Sequence, residues 1–236
     1  FEYGIYAMAP MDKESLQKIR NTFECQMHLG SGQTEFAPSA CIFHDGSEQE
    51  NPDGNYWGIP SNGVDQAILD DHGNEVAQGE LGEICWRGPQ AMTGYFKNPE
   101  ASSEASQFGW HHSGDLGLID KHGQLMFVDR KKDTIKSGGE NVSSVKVEQV
   151  IMGIEGVALT AVFGAPHERW FEAVCAAIQL QPGSELTEEE VIEHCKQHLG
   201  GFETPKKIVF VDNFEYTGTG KIKKIALRQK YAKLFE

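Results

Sequence analysis

Asp129-Arg130-Lys131-Lys132-Asp133-Thr134-Ile135-Lys136-Ser137-Gly138-Gly139-Glu140-Asn141-Val142 divides this chain. Five consecutive charged residues follow the apolar run 125–128, which predicts a short strand ending where the charges begin. Read by itself, the stretch is a solvated linker leading into a turn at the double glycine. Arg130 offers a forked guanidinium suited to an anion. The charged run is the expected boundary between two units, residues 1–130 and 131–236.

The charge differs across that boundary. Residues 1–130 carry 7 basic and 20 acidic residues, a net of −13; residues 131–236 carry 14 and 15, a net of −1. Residues 206–236 hold 8 basic residues against 3 acidic. An acidic body repels a polyphosphate backbone, so nucleic acid is not an expected partner. The basic tail suits a small anionic ligand instead. With 236 residues, 39% hydrophobic and 24% charged, the chain has a globular composition,. No apolar run reaches the ~18 residues that span a bilayer, and no secretory apolar region opens the sequence, so no transmembrane segment and a cytoplasmic location are expected. Cys25, Cys41, Cys85, Cys175 and Cys195 form no C-x-x-C pair, which fits isolated buried thiols in a reducing compartment,.

Periodicity predicts an amphipathic helix over residues 11–23 and short strands and turns over the Gly-, Asn-, Asp- and Pro-rich residues 36–80. A strand is expected at 83–87 and a short helix at 99–106. Beyond the boundary the pattern reads helix 144–152, buried strands 157–163 and 173–180, a helix from Thr187 to about His198, strand 208–211 and a basic helix over about 222–234. Thr187 with Glu190 is a capping box. The fold class expected is α+β, with a small β-barrel-like part before the boundary and a compact α+β domain after it.

Three further segments carry chemistry. Gly30-Ser31-Gly32-Gln33-Thr34-Glu35 offers close backbone approach, a hydroxyl and a carboxylate for a hard cation, or is a plain surface turn. Ser113-Gly114-Asp115-Leu116-Gly117 displays a carboxylate between glycines, suited to the two hydroxyls of a ribose, or is again a turn. Thr217-Gly218-Thr219-Gly220-Lys221 fails the Walker pattern, because Glu215 stands at the first glycine and Ile222 follows the lysine,. It is either a polar loop or a loop that delivers an ammonium to an anion. His194 and His198 lack an H-E-x-x-H context, the adjacent His111 and His112 diverge on a strand, and no G-x-S-x-G elbow occurs.

Taken in order, these segments resemble the adenylate-forming superfamily of acyl-CoA synthetases, luciferases and adenylation domains, and most of all its fatty-acyl-CoA ligase branch. Gly32-Gln33-Thr34-Glu35 is similar to the Gly-x-Thr-Glu signature. Gly79-Glu80-Leu81-Gly82-Glu83-Ile84 followed by Gly94-Tyr95 resembles the Gly-Glu-Leu … Gly-Tyr motif. Gly109-Trp110 through Gly117 resembles Gly-Trp-x-x-Thr-Gly-Asp-Leu-Gly. The opening stretch resembles the hinge motif with Gly-Gly-Glu-Asn, and Thr219-Gly220-Lys221 the catalytic-lysine motif.

The resemblance implies a two-step reaction: ATP and a carboxylic acid, a fatty acid in this branch, give an acyl-adenylate, which passes its acyl group to coenzyme A. It implies that Thr34 contacts phosphate, that Glu35 binds Mg²⁺, and that Gly32 and Gln33 flank the nucleotide. Asp115 and Arg130 hold the ribose. Lys221 is the catalytic cation and Lys132 the hinge. Lys136 and Gly139 lie on the face presented for thioester formation, with Gly139 against the pantetheine arm. Residues 1–130 then correspond to the end of the large adenylate-binding domain, and 131–236 to the mobile lid.

Some positions depart from the pattern. Ser31 stands where relatives carry an aromatic residue, Met8 where many carry glycine, and Ser113 replaces threonine. A phosphate loop ending Pro-Lys-Gly is absent from the sequence. The chain is therefore expected to be the C-terminal part of a ligase, inactive without a missing N-terminal domain. The alternatives are a carrier-protein thiol or oxygen as acceptor, or a non-catalytic module that keeps the fold. Exposed apolar surface is expected within residues 1–130.

Overall fold

The computed structural model describes residues 1–7, 13–37, 39–51 and 54–236. Met8, the residue expected to crowd the nucleotide pocket, lies outside them. The chain divides into two compact units, Phe1–Lys131 and Lys132–Glu236. The architecture is α+β, with more strand than helix.

The first unit is built on one eight-stranded sheet. In chain order its strands are β1 (Tyr3–Ala7), β2 (Gln26–Ser31), β3 (Cys41–Phe43), β4 (Asn55–Pro60), β5 (Asp65–Leu69), β6 (Gly82–Arg87), β7 (His111–Ile119) and β8 (Leu125–Arg130). In space they run β1-β2-β3-β4-β8-β7-β6-β5, with β1 and β5 at opposite ends, so the barrel-like part is an open sheet. Helix α1 (Lys13–Phe23) connects the one parallel pair, β1 and β2, and α2 (Pro99–Glu104) lies between β6 and β7. Asn98 starts α2 by accepting the Ala101 N–H at 3.2 Å,. The core gathers Phe36, Val64, Ile68, Ile84, Trp86 and Leu125. Edge strand β1 leaves Tyr3 and Ile5 exposed, as is Phe1 before it, which is the apolar surface expected of this half,.

The second unit centres on the antiparallel pair β11 (Val157–His167) and β12 (Phe171–Leu180). The hairpin β9 (Ile135–Ser137) and β10 (Glu140–Val142) joins one side of β12, and β13 (Lys207–Phe210) pairs parallel with it. Alternation sorts the central residues between two cores. Val162, Val174, Ala176 and Ile178 pack with Val147 and Ile151 of α3 (Ser144–Met152) and with Val191 and Cys195 of α4 (Glu188–His198). Ala161, Phe163, Ala173, Cys175 and Ala177 pack with Leu227 of α5 (Lys224–Lys230). Both faces of the pair are covered at its centre, which is why residues 161–163 and 173–178 read as apolar runs,. The Thr187–Glu190 capping box opens α4: Glu190 Oε2 accepts the Thr187 N–H at 2.8 Å, and Thr187 Oγ1 accepts the Glu190 N–H at 3.2 Å.

Several elements differ from the sequence expectation: the strand expected over 157–163 runs on to His167, and the helix expected over 99–106 ends at Glu104. Residues 113–117 are not a free turn but the middle of β7. The basic helix is also shorter than expected. Ile222 is held in a bridge to Tyr216, and Lys223 has no side-chain cap bond, so α5 begins at Lys224 and closes into turns after Lys230. None of the five cysteines is bonded to another. Burial pushes the thiols of Cys41 and Cys175 up to about 12 and that of Cys195 to about 11, so they are packing groups,. No helix among the described residues is long and apolar enough to cross a membrane.

Ile151 and Met152 are neighbours on α3, one fully buried and the other 44% exposed. Ile151→Ala is expected to lower unfolding free energy by about 2–5 kcal/mol and Met152→Ala by less than about 1 kcal/mol. Urea denaturation of both variants checks the direction in which α3 faces.

Candidate functional site

A bulge in β7 organises the first unit's candidate site. Glu83 pairs with Leu116 and Cys85 with His112, so three residues of β7 (Ser113, Gly114 and Asp115) face one of β6,. Gly114 takes φ +72, and nothing lies within 4 Å of where a Cβ would stand. Backbone freedom rather than space therefore calls for glycine here. Ser113 Oγ holds the bulge shut, donating to Ile84 O at 2.6 Å and accepting the Asp115 N–H at 3.1 Å.

On its other side β7 has a second register shift, which skips Val128 of β8 and sets Asp115 directly opposite Arg130, with Arg130 Nε 3.8 Å from Asp115 Oδ1. Gln33 reaches the same place from the end of β2. Its Nε2 donates to Ser113 O at 2.7 Å and to Asp115 Oδ2 at 3.0 Å. Its Oε1 accepts from His111 Nε2 at 3.1 Å. Desolvation lowers the His111 pKa below its ordinary value, and the ring stacks on Phe36 at 5.6 Å. Thr34 and Glu35 follow in a 3₁₀ turn, Thr34–Phe36, pinned by buried Phe36. Tyr95 Oη donates to Glu35 Oε1 at 3.0 Å, and the Met92 N–H donates to Glu35 O at 2.7 Å. Gly32 passes close to the chain, since a Cβ there would stand 3.1 Å from Ala40 N. Ser31 is a buried ladder residue opposite Cys41. Gln33, Asp115 and Arg130 are thus brought together, with Thr34 and Glu35 next in the chain.

In the second unit, Lys136 lies exposed on β9, and Gly138 and Gly139 turn the β9–β10 hairpin at φ +63 and +93. The Gly138 N–H donates to Trp170 O at 2.9 Å. A Cβ on Gly138 would meet the Trp170 ring at 3.0 Å, so the indole lies against bare backbone. Arg169 and Lys206 place their cationic groups 4.6 and 5.6 Å from the same ring. An open groove of about 760 Å³ runs here, lined by Gly138, Gly139, His167, Arg169, Trp170 and Phe171 among others. Lys221 stands apart, on a tight loop closed by Thr217 N–H to Lys221 O at 2.7 Å and Lys221 N–H to Thr217 Oγ1 at 3.1 Å. Lys132 is exposed at the start of the unit.

A phosphate-signature turn, a carboxylate–guanidinium pair across a ladder, a Gly-Gly hairpin and a loop lysine occur in that chain order. The model of the AMP-binding enzyme family matches residues 2–96, and that of the AMP-binding enzyme C-terminal domain matches residues 146–221. The chain belongs to the adenylate-forming superfamily. It is 45% identical over 175 residues to 4-hydroxybutyrate–CoA ligase 2 of Metallosphaera sedula, covering 73% of this chain and 32% of that protein. It is 36% identical over 207 residues to long-chain-fatty-acid–CoA ligase of Salmonella typhimurium, covering 85% and 35%. The o-succinylbenzoate CoA synthetase of Bacillus subtilis, solved with an acyl-adenylate intermediate, superposes with a TM-score of 0.87 at 27% identity, over 96% of this chain and 46% of that one. The chain thus spans about a third of the length of the two curated relatives.

Adenylate-forming motifs pointed to Asp115 and Arg130 but not to what holds them. Glu83 accepts the Gly114 N–H at 3.0 Å, the Lys131 ammonium at 3.1 Å and the His112 imidazole at 3.2 Å. Lys131 also binds Asp71 at 2.7 Å, and its N–H donates to Gly114 O at 2.9 Å. Burial alone raises a carboxylate pKa; here the donors from His112, Lys131 and Gly114 outweigh it, and the Glu83 value lies below the ordinary one,. Glu83 stood in the Gly-Glu-Leu-like motif, yet its three partners, His112, Gly114 and Lys131, lie 29 to 48 residues further along the chain, so its role was not visible in spacing.

Because the folded-state pKa of Glu83 is depressed, its stabilisation is fully present above the ordinary glutamate value of about 4.3 and is lost as pH falls through the folded value. Glu83→Gln is expected to lower stability by about 1–3 kcal/mol at pH 7 and to remove part of the acid-side loss. Urea melts at pH 7 and pH 3.5 measure both. His111 is expected to stay neutral as pH falls through 6.5, the ordinary histidine value, and its ring proton shifts in an NMR titration report this,.

Proposed function

We propose that this chain serves an ATP-dependent acid–thiol ligase that forms an acyl-adenylate and then a coenzyme A thioester. The observation that carries the reading is the Asp115–Arg130 pair on one face of the β7–β8 ladder, joined by Gln33. A buried carboxylate accepts both hydroxyls of a ribose, and the adjacent guanidinium offers planar donors to the same sugar and its phosphate. Thr34 supplies a hydroxyl to phosphate. Among the described residues no group of three or more His, Cys, Asp or Glu could hold a metal ion. Glu35, whose carboxylate accepts from Tyr95 Oη, is proposed to hold Mg²⁺ in the manner usual for nucleotide enzymes, as one carboxylate beside the substrate's phosphates,. When bound there, Mg²⁺ neutralises phosphate charge.

Lys221 is proposed as the catalytic cation. Adenylation requires a carboxylate to attack an anionic α-phosphate, and an ammonium near both lowers their repulsion and stabilises the added charge of the transition state. Lys132 is proposed as the hinge between half-reactions. The groove beside Gly138 and Gly139 is proposed as the coenzyme A path: backbone without side chains admits a slender pantetheine arm, and Arg169 suits its phosphates,. Residues 1–130 then belong to a large adenylate-binding domain and 131–236 to the lid. The fatty-acid preference and a cytoplasmic location rest on the sequence reading. The acids named for the relatives range from 4-hydroxybutyrate to long-chain fatty acids.

The chain by itself is proposed not to form acyl-adenylate, because it contains no phosphate loop ending Pro-Lys-Gly. ATP–pyrophosphate exchange with a fatty acid is expected to be at background for the purified chain. In the full-length protein, Lys221→Ala is expected to cut exchange by about 10²-fold or more. Thioester formation from preformed acyl-adenylate should change far less. Unaltered exchange would instead support a non-catalytic module.

A further inference from the structure

Phe171, the first residue of β12, has φ +65. That backbone region is open to glycine and uncommon for a bulky side chain. Its ring is 74% exposed, so no core packing compensates for the strained backbone. Strain held where packing gives nothing back points to a role outside the fold.

The surroundings define that role. Phe171 lines the same groove as Gly138, Gly139, Arg169 and Trp170, and it is opposite Ser137 across the β9–β12 ladder. The groove therefore presents two aromatic residues in succession, a guanidinium 4.6 Å from one ring and bare Gly-Gly backbone beside it. Glu168 and Glu236 border it as well, which favours a bound phosphate on the Arg169 side; the Lys206 ammonium donates to Gly201 O and Thr204 O and stays outside the groove. Aromatic faces flanked by cations take a flat, phosphorylated heteroaromatic group, because stacking and charge pairing act on adjacent parts of one ligand.

We propose that Phe171 is a binding residue for the phosphorylated adenosine head of coenzyme A, its left-handed backbone turning the ring into the groove as a second stacking surface beside Trp170. The proposal rests on the assignment of the groove to coenzyme A. The strained backbone is the means of presenting the ring.

Calorimetric titration of the chain with coenzyme A and with adenosine 3′,5′-bisphosphate tests both levels. The wild type is expected to bind both probes. Phe171→Gly, which suits φ +65, is expected to unfold at a temperature no lower than wild type and to bind adenosine 3′,5′-bisphosphate roughly tenfold more weakly. Phe171→Tyr, which keeps a ring, should retain wild-type affinity. Equal affinity of wild type and Phe171→Gly for adenosine 3′,5′-bisphosphate would overturn the role of Phe171 while leaving the groove's assignment intact. Binding of neither probe by the wild type would overturn that assignment and the proposal with it. A marked loss of thermal stability in Phe171→Gly would show that the ring serves the fold, and would overturn the proposal.

Discussion

A buried carboxylate must be supplied with donors or it will not stay charged, and Glu83 meets that demand in a way that shapes the first unit's candidate site. Its oxygens take the Gly114 N–H, the Lys131 ammonium and the His112 imidazole. Two donors come from β7 and the third from the residue after β8, so satisfying one side chain ties the ends of two strands to β6,. The Gly114 contact braces the bulge that β7 makes against β6, next to Asp115, which a separate register shift sets opposite Arg130 of β8. The Lys131 contact ties the last residue of the unit back onto the sheet, one residue before Lys132. The feature proposed to grip ribose and the feature proposed to pivot therefore share one electrostatic support.

In the second unit the corresponding constraint is packing. The β11–β12 pair is covered on both faces, so its register cannot slip without exposing one core or the other,. That rigidity reaches the groove through short connections. Phe171 opens β12 and pairs with Ser137, and Gly138 lies against Trp170. The residues proposed to meet coenzyme A sit on turns, but the turns are anchored to the most deeply buried strands in the unit.

Much of the architecture was legible in the sequence, for reasons that can be named. The helix after Thr187 announced itself through a capping box, whose two bonds form between residues three apart. The strands at 157–163 and 173–180 read as mostly apolar because their central residues are buried on both faces. The double glycine of the opening stretch turned where glycine is needed, at φ +63 and +93. By contrast, residues 113–117 read as a turn because Ser, Gly, Asp and Gly are turn-forming residues. They lie within a strand because β6 and β8 supply ladder partners from 33 or more residues before and 10 or more after. The end of the basic helix was overread because charge and periodicity continue past Lys230 where the backbone closes into turns.

The sequence by itself determined the α+β class, the charged boundary and the order of the chemical motifs, since each depends on residues close in the chain. Tertiary structure alone decided the register that pairs Asp115 with Arg130, the donors around Glu83 and the strained ring of Phe171 beside Trp170. Those features depend on contacts between distant segments: 112, 114 and 131 meet around the carboxylate of Glu83, and 138 in one hairpin turn meets 170 in another. Local spacing carries no record of such meetings, because it is the pairing of strands that brings the residues within hydrogen-bond reach.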